Sequence, residues 1–272
     1  MNPRLQLALE MAQEASDEIV RAFAGRNHAL TEKSGNDFAT ETDKSVEAHI
    51  ARRIAQAFPG DHLLGEEGGE QWLGNAPATG VRWIVDPLDG TFNFVHGFPY
   101  IATSIAIEAS GEVQVGVIAN PLTREIFSAR KGFGAWRHRP DRAPEALAVS
   151  KAAHLEKALV GSVLPSAANA RFEAVLPAWL AVARASGSIR RTGAAALDLA
   201  HVAAGQLDGF FVMSLASWDA AAGALLVREA GGMVCDFAGG DDFLRTNQVI
   251  AGTRDVAVQM AQVLRPYAEL AL

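Results

Sequence analysis

One cysteine, Cys235, stands in a chain of 272 residues. That excludes an internal disulfide and points to a reducing compartment, so a cytoplasmic location is expected. No Cys-x5-Arg signature follows it, so the sequence offers no cysteine nucleophile of that type. Positive charge is also short. Lys and Arg number 24 against 31 Asp and Glu, giving a net charge of −7. This excludes an extensive nucleic-acid surface, which needs a basic face. No apolar run approaches the roughly 18 residues of a membrane span, so no membrane partner is expected. Gln6 and Glu10 interrupt the apolar residues at the start, so no signal peptide is expected either. Internal repeats and low-complexity tracts are lacking.

The chain does have a large apolar fraction, 49%, enough for a well-filled core. Leu5, Leu9, Ala12, Ile19 and Phe23 recur at near-helical spacing and predict an amphipathic helix over the first 24 residues. A polar, turn-rich stretch follows. Val46, Ile50 and Ile54 step by four and predict a second helix, capped by Thr42 or Asp43. Strand-like runs then crowd together: VRWIV, IATSIAI, VQVGVIA and EIFSA. RHRPDRAPE, with Pro140 and Pro144 among charges, reads as a linker. Beyond it AALDLAHVAAG, DAAAGALLVREAGG and DVAVQMAQVLRPY read as helices, and DGFFVMSL, MVCDF and QVIAG as strands. Two parts are expected: a sheet-rich α+β half over residues 1–143 and a layered α/β half over 144–272.

The chemistry gathers in WIVDPLDGTFNF, residues 83–94. An apolar run ends in Asp86 and Asp89, three apart, with Pro87 fixing the backbone between them. Carboxylates at the mouth of a central strand are expected to face a cleft. Two of them repel unless a cation sits between. A hard divalent ion such as Mg2+ takes such oxygen ligands together with water and phosphate. Gly90-Thr91 then opens a turn or helix whose free N–H groups suit a phosphate. Asp-Pro and Asp-Gly are also common turn dipeptides, so the stretch alone reads more readily as a structural turn. Two other acidic strand ends weigh against that plainer reading: Glu66-Glu67, before two glycines, and Asp219, at a strand end and helix cap. Taken singly, the first is an ordinary solvated loop and the second an ordinary N-cap.

Together GEE, WIVDPLDGTFNFVHGFP and WDAAAGALLVREAGG resemble the inositol monophosphatase family in its bacterial branch. KSGNDFATETD and RRTGAAALDLAHVAAGQLDGFF agree, and the resemblance covers nearly the whole chain. It implies a layered αβαβα fold like that of fructose bisphosphatase, with the site between the halves. It implies a Mg2+-dependent, lithium-sensitive phosphomonoesterase using two or three ions, in many members a homodimer, acting on small phosphorylated polyols. It assigns Glu66, Asp86 and the Leu88 carbonyl to one Mg2+, and Asp86, Asp89 and Asp219 to a second. A third, weaker ion would sit near Glu66. Gly90 and Thr91 would hold phosphate by backbone N–H groups. Asp43 would pair with Thr91 to orient and deprotonate the attacking water. Lys33 would help close the site from a mobile loop, and Gly193 and Ala195 would line the pocket for the alcohol. The implied reaction is in-line displacement by water, with no protein nucleophile.

Three positions depart from the family pattern. Phe92 stands where Thr is usual and Ala194 where Thr or Ser is common, but Thr91 is kept. Val212 stands where members that favour inositol phosphates carry Glu, seven residues before the Trp-Asp aspartate. That leaves open other substrates for the same chemistry: a nucleotide bisphosphate, histidinol phosphate or fructose bisphosphate. A further alternative is a scaffold that binds a partner in the transcription machinery. The remaining tempting groups read as structural. His96 and the six other histidines lack ligand spacing, Cys235 and Trp218 read as core, and Arg190-Arg191 suit phosphate or an interface equally.

Overall fold

The computed structural model of the protein describes residues 2–25, 30–34, 37–74, 76–165, 169 and 171–270. Among the histidines counted above, the one at position 28 lies outside them. Five layers stack around two sheets. The first sheet has eight strands: β3 (His62–Gly65), β4 (Gly69–Trp72), β5 (Val81–Asp89), β6 (Ala102–Ala109), β7 (Glu112–Asn120), β8 (Glu125–Arg130), β9 (Ala135–His138) and β10 (Glu145–Ala146). Their order is β10-β9-β8-β7-β6-β5-β3-β4, antiparallel except for β3 beside β5. A separate hairpin, β1 (Leu30–Ser34) with β2 (Asp37–Thr40), precedes them. The second sheet holds β11 (Leu159–Ser162), β12 (Ser188–Arg190), β13 (Gly209–Met213), β14 (Met233–Cys235) and β15 (Gln248–Gly252), in the order β12-β11-β13-β15-β14.

Helices α1 (Pro3–Gly25) and α2 (Glu41–Ala57) cover the outer face of the first sheet. Their buried stripe, Leu7, Met11, Ile19, Val46, Ile50 and Ile54, meets Trp83, Val85, Ile105 and Val117. Between the sheets lie α5 (Ala195–Ala203) and α6 (Ser217–Glu229). Residues 220–227 of α6 are all buried. A helix apolar all round belongs inside a protein, not on its surface. Its run of alanines and Gly223 permits close approach: a Cβ on Gly116 of β7 would stand 2.6 Å from the Ala222 carbonyl oxygen. The outermost layer, α4 (Phe172–Ala185) and α8 (Arg254–Leu264), packs on the second sheet. The short helices α3 (Thr91–His96) and α7 (Phe243–Thr246) sit in connections. This is the αβαβα layering expected of the family resemblance.

Several local expectations shift. The polar stretch after α1 contains the β1–β2 hairpin. The cap of α2 is Thr40, two residues before Thr42 and three before Asp43. Its hydroxyl accepts from the Thr42 and Asp43 amides while Asp43 reaches back to the Thr40 amide, a capping box. RHRPDRAPE forms the turn between β9 and β10, closed by Arg137 and Arg139 on Glu145. The chain leaves the first sheet after Ala146 and enters the second at Leu159. Helix α4 carries Pro177 in its second turn and had no counterpart in the sequence reading.

Candidate active site

Strand β5 does not stop at its carboxylates. It runs on through Asp89, with Asp86 opposite Ser104 and Asp89 opposite Ala102 on β6. The extra residue is a bulge, which bends the strand and re-aims its side chains. Alternation places Ile84 in the inner core while Trp83 and Val85 face α1 and α2, so Asp86 shares the inner face with Ile84. There it meets the first turn of α6. Asp219 is the third residue of that helix, whose cap is Ala216, so it is not itself the cap. Ser104 donates to the Trp218 carbonyl at 2.8 Å and ties this turn to β6. Carboxylate oxygens of Asp86, Asp89 and Asp219 lie within 4.8 Å of one another.

Contrary to the expected open cleft mouth, Asp86 is only 1% exposed and Asp89 8%. The ends of α5 and α6 close over them, because the inner helices lie so near the sheet. Burial pushes both carboxyls well above their ordinary values. For Asp86 the charges of Glu66, Asp219 and Asp89 add to that push. For Asp89 the Asp219 charge adds to it, while the Ala196 amide, donating at 2.7 Å, opposes it. Asp198 and Glu66 raise Asp89 further. Three carboxylates drawn together in this way offer a set of hard oxygen donors that suits a divalent cation of the Mg2+ type.

Glu66 follows β3, its amide donating to the Val85 carbonyl at 3.1 Å, one residue from Asp86. It lies outside the three-aspartate group but acts on two of its members. The Leu88 carbonyl accepts from the Thr91 hydroxyl at 3.0 Å. The same hydroxyl reaches Asp43 of α2 at 3.0 Å. Asp43 is fully buried, and burial raises its carboxyl against the opposing bonds from Thr40 and Thr91.

Gly90 joins β5 to α3 at φ 89°, and a Cβ there would meet the Tyr100 carbonyl oxygen at 3.0 Å and the Ala194 methyl at 3.2 Å. No other residue fits both the left-handed backbone and that space. Gly193, at φ 91°, is pressed against Asn93. Gly90, Gly193 and Ala195 are thus brought together with the aspartates at the start of α5. Lys33 stands on β1, at the irregularity between Glu32 and Ser34, in a strand where a loop was expected. Val212 is 3% exposed, paired with Val249 and packed in the inner core. Ser214, beyond it, accepts from Arg171 at 2.8 Å.

Three supporting residues were not foreseen. Asn93 donates to the carbonyls of Tyr100 (2.7 Å) and Thr192 (2.9 Å), joining the first half of the site to the second. Asp198 accepts from Tyr100 (2.6 Å) and Thr192 (2.7 Å), and burial lifts its carboxyl to about 7. Glu47 holds the loop after Glu66. Asn93 lies inside the quoted motif, and Glu47 is spaced four from Asp43; those were their only signals. His96 is exposed and bound to the Phe92 carbonyl, and Cys235 is buried in β14 with its thiol pushed up to about 11.

The inositol monophosphatase family model matches residues 1–269. The chain belongs to the inositol monophosphatase family. It is 36% identical to a Haemophilus influenzae protein named Nus factor SuhB, over 98% of this chain and 97% of the relative. Among solved structures it resembles the Bartonella henselae extragenic suppressor protein suhB, with a TM-score of 0.87 and 37% identity over 96% of this chain and 97% of that one. It also resembles the Thermotoga maritima IMPase, at a TM-score of 0.83 and 30% identity over 98% of each chain. The family's layered fold is the one described above. No helix among the described residues is long and apolar enough to cross a membrane.

Proposed function

We propose that this chain is a Mg2+-dependent phosphomonoesterase acting on inositol monophosphate or related small sugar and polyol phosphates. The observation that carries the reading is the convergence of Asp86, Asp89 and Asp219 within 4.8 Å beside the Thr91–Asp43 pair. Asp86, Asp89, Asp219, Glu66 and the Leu88 carbonyl are the groups that would hold Mg2+. Bound there, Mg2+ supplies acidified water and neutralises charge on the departing oxygen. The chain's own residues do the rest. Thr91 is held by both Asp43 and the Leu88 carbonyl, so its hydroxyl is fixed in direction. The raised Asp43 carboxyl makes a better proton acceptor for water relayed through Thr91. The Gly90 and Thr91 amides would take the phosphate. Gly193 and Ala195 would line the alcohol side, and Lys33 would approach from the β1–β2 hairpin. Val212 offers no polar atom to a polyol, so a broad substrate range is proposed. Li+ inhibition is proposed with the Mg2+ requirement, and a homodimer would give cover to Phe92 and Phe98, both about half-exposed.

The test is phosphate release from a panel: inositol 1-phosphate, glycerol 2-phosphate, histidinol phosphate, a nucleotide bisphosphate and fructose bisphosphate. Hydrolysis with Mg2+ that vanishes in EDTA and returns on Mg2+ addition is expected. Full activity in EDTA would remove the core of the reading. A second reading makes the scaffold a partner-binding regulator. It is favoured by the name Nus factor SuhB, carried by relatives from Haemophilus influenzae and Escherichia coli. Silence on the whole panel, with Mg2+ binding intact, would favour it.

A further inference from the structure

Glu47 sits one helical turn after Asp43 on α2, so both side chains leave the same face of the helix. Glu47 is 4% exposed. Both of its oxygens are used. One accepts from the Glu67 amide at 2.9 Å and the other from the Gly68 amide at 2.7 Å, the two N–H groups directly after Glu66. The glycines around Glu66 leave room for this carboxylate. A Cβ on Gly65 would stand 2.4 Å from the Glu47 carboxyl carbon, and one on Gly68 would meet the Gln71 amide nitrogen at 1.9 Å and the Glu47 Oε1 at 2.8 Å. A free side chain would swing aside, but this one is fixed by two charge-assisted bonds. Gly65 itself is in register with Val85, next to Asp86.

We propose that Glu47 is a positioning residue: it clamps the turn between β3 and β4 so that the Glu66 carboxylate is held toward Asp86. Helix α2 thereby sets two parts of the site at once, the Asp43–Thr91 pair and Glu66. The Gly-Glu-Glu-Gly-Gly stretch acquires a physical reason. Its glycines at 65 and 68 seat a buried carboxylate from another element, and the first acid between them is aimed by that carboxylate. The inference rests on the Mg2+ reading given under Proposed function.

The experiment is a calorimetric titration of Mg2+ into metal-free, substrate-free protein, read beside kcat and KM at saturating Mg2+. Glu47→Gln keeps the shape but turns an N–H toward one of the loop amides. Changes to groups that orient a ligand weaken metal binding by about 10–100-fold, so at least a tenfold weaker Mg2+ binding step is expected. KM for substrate should stay near the wild-type value. Glu66→Gln should show a loss of the same step, and Glu47→Gln in that background should add nothing, since it acts through Glu66. Gly65→Ala is a second route to the same displacement and leaves Glu47 itself intact. Glu70→Gln, an exposed change in the neighbouring strand, is the control. If Glu47→Gln and Gly65→Ala lower the melting temperature but leave Mg2+ binding unchanged, Glu47 is a structural anchor only and the inference falls. Losses that add in the double variant would overturn it as well. Wild-type protein that binds no Mg2+ would sink the parent reading and this inference together, an outcome distinct from the other two.

Discussion

Asp61 and Asp86 are both carboxylates sealed from solvent in the first half of the chain, yet their surroundings are opposite. Burial raises the Asp61 carboxyl, but bonds from the Arg4 guanidinium (2.8 and 2.9 Å), the Thr79 hydroxyl and the Trp83 indole (2.9 Å) outweigh it and hold it below its ordinary value. Asp86 is surrounded by other acids, and burial with their charges drives its carboxyl up. A buried acid with its cation supplied by the fold is architecture. One pressed by three further acids is a place where the fold has gathered charge that a cation could neutralise, at a cost in stability when that cation is missing.

The same change, Asp to Asn, should therefore act in opposite directions at Asp61 and within the acid group that Asp86 shares with Asp89. The largest effect is expected for Asp89→Asn. It removes a proposed metal ligand, so kcat should fall by more than the roughly 10–100-fold that ligand-orienting changes cost. The metal-free protein should at the same time melt higher, because repulsion within the group is relieved. Each kcal/mol regained is worth about 2–4 °C in a chain approaching this size. A variant that keeps its activity, or melts lower without metal, breaks the contrast.

Next in size is Asp61→Asn. It strips charge from a bonded carboxylate facing Arg4, and hydrogen bonds to charged groups are worth about 1.5–3 kcal/mol each. Chemical denaturation should show a loss of that order, with kcat little changed. A neutral or stabilising result would mean that desolvation of the Asp61–Arg4 pair cancels its attraction.

A smaller effect concerns pH. The Asp198 carboxyl is raised from 3.8 to about 7. A raised carboxyl stabilises the fold while protonated, fully so below the unfolded value, and loses that contribution as pH rises through the folded value. Asp61 has the opposite sign: its contribution is present above the unfolded value and lost as pH falls through the depressed one. In saturating Mg2+, melting between about pH 4 and pH 8 should show a declining component that Asp198→Asn removes. An unchanged slope in that variant would show that Asp198 does not titrate in this window.

The smallest effect is expected at Val212. A glutamate there would restore an acceptor for polyol hydroxyls, worth roughly 10-fold or more in preference for inositol 1-phosphate over glycerol 2-phosphate. It would also place a carboxylate where the side chain is now buried against the inner core, so some stability should be lost. If kcat/KM for the two substrates keeps its wild-type ratio, this position does not set preference.

Much of this was legible in the chain itself. The period of Leu5 to Phe23 and of Val46 to Ile54 marked α1 and α2, since amphipathic spacing is a local property. The alanine-rich run after Asp219 announced a helix, and the acids of DPLDG, GEE and WDAAAG stood out because strand ends followed by glycine are readable without knowing the partner. What tertiary structure decided was everything that needs two distant segments at once. Only packing of α6 on β5 and β6 brings Asp219 to Asp86 and Asp89. Only the α5 start supplies the Ala196 amide to Asp89 from 107 positions away. Burial, too, is decided there. The sequence marked Asp86 and Asp89 as acids at a strand's end, but their raised carboxyls come from neighbours and lost solvent, which no local pattern encodes. Thr40 as cap was in fact local, a Thr-x-x-Asp capping box spanning three residues, whereas the bulge within DPLD and the grip of Glu47 on the Glu66 loop belong to the distant class. Each is a hydrogen-bond choice settled by which groups the fold leaves without water.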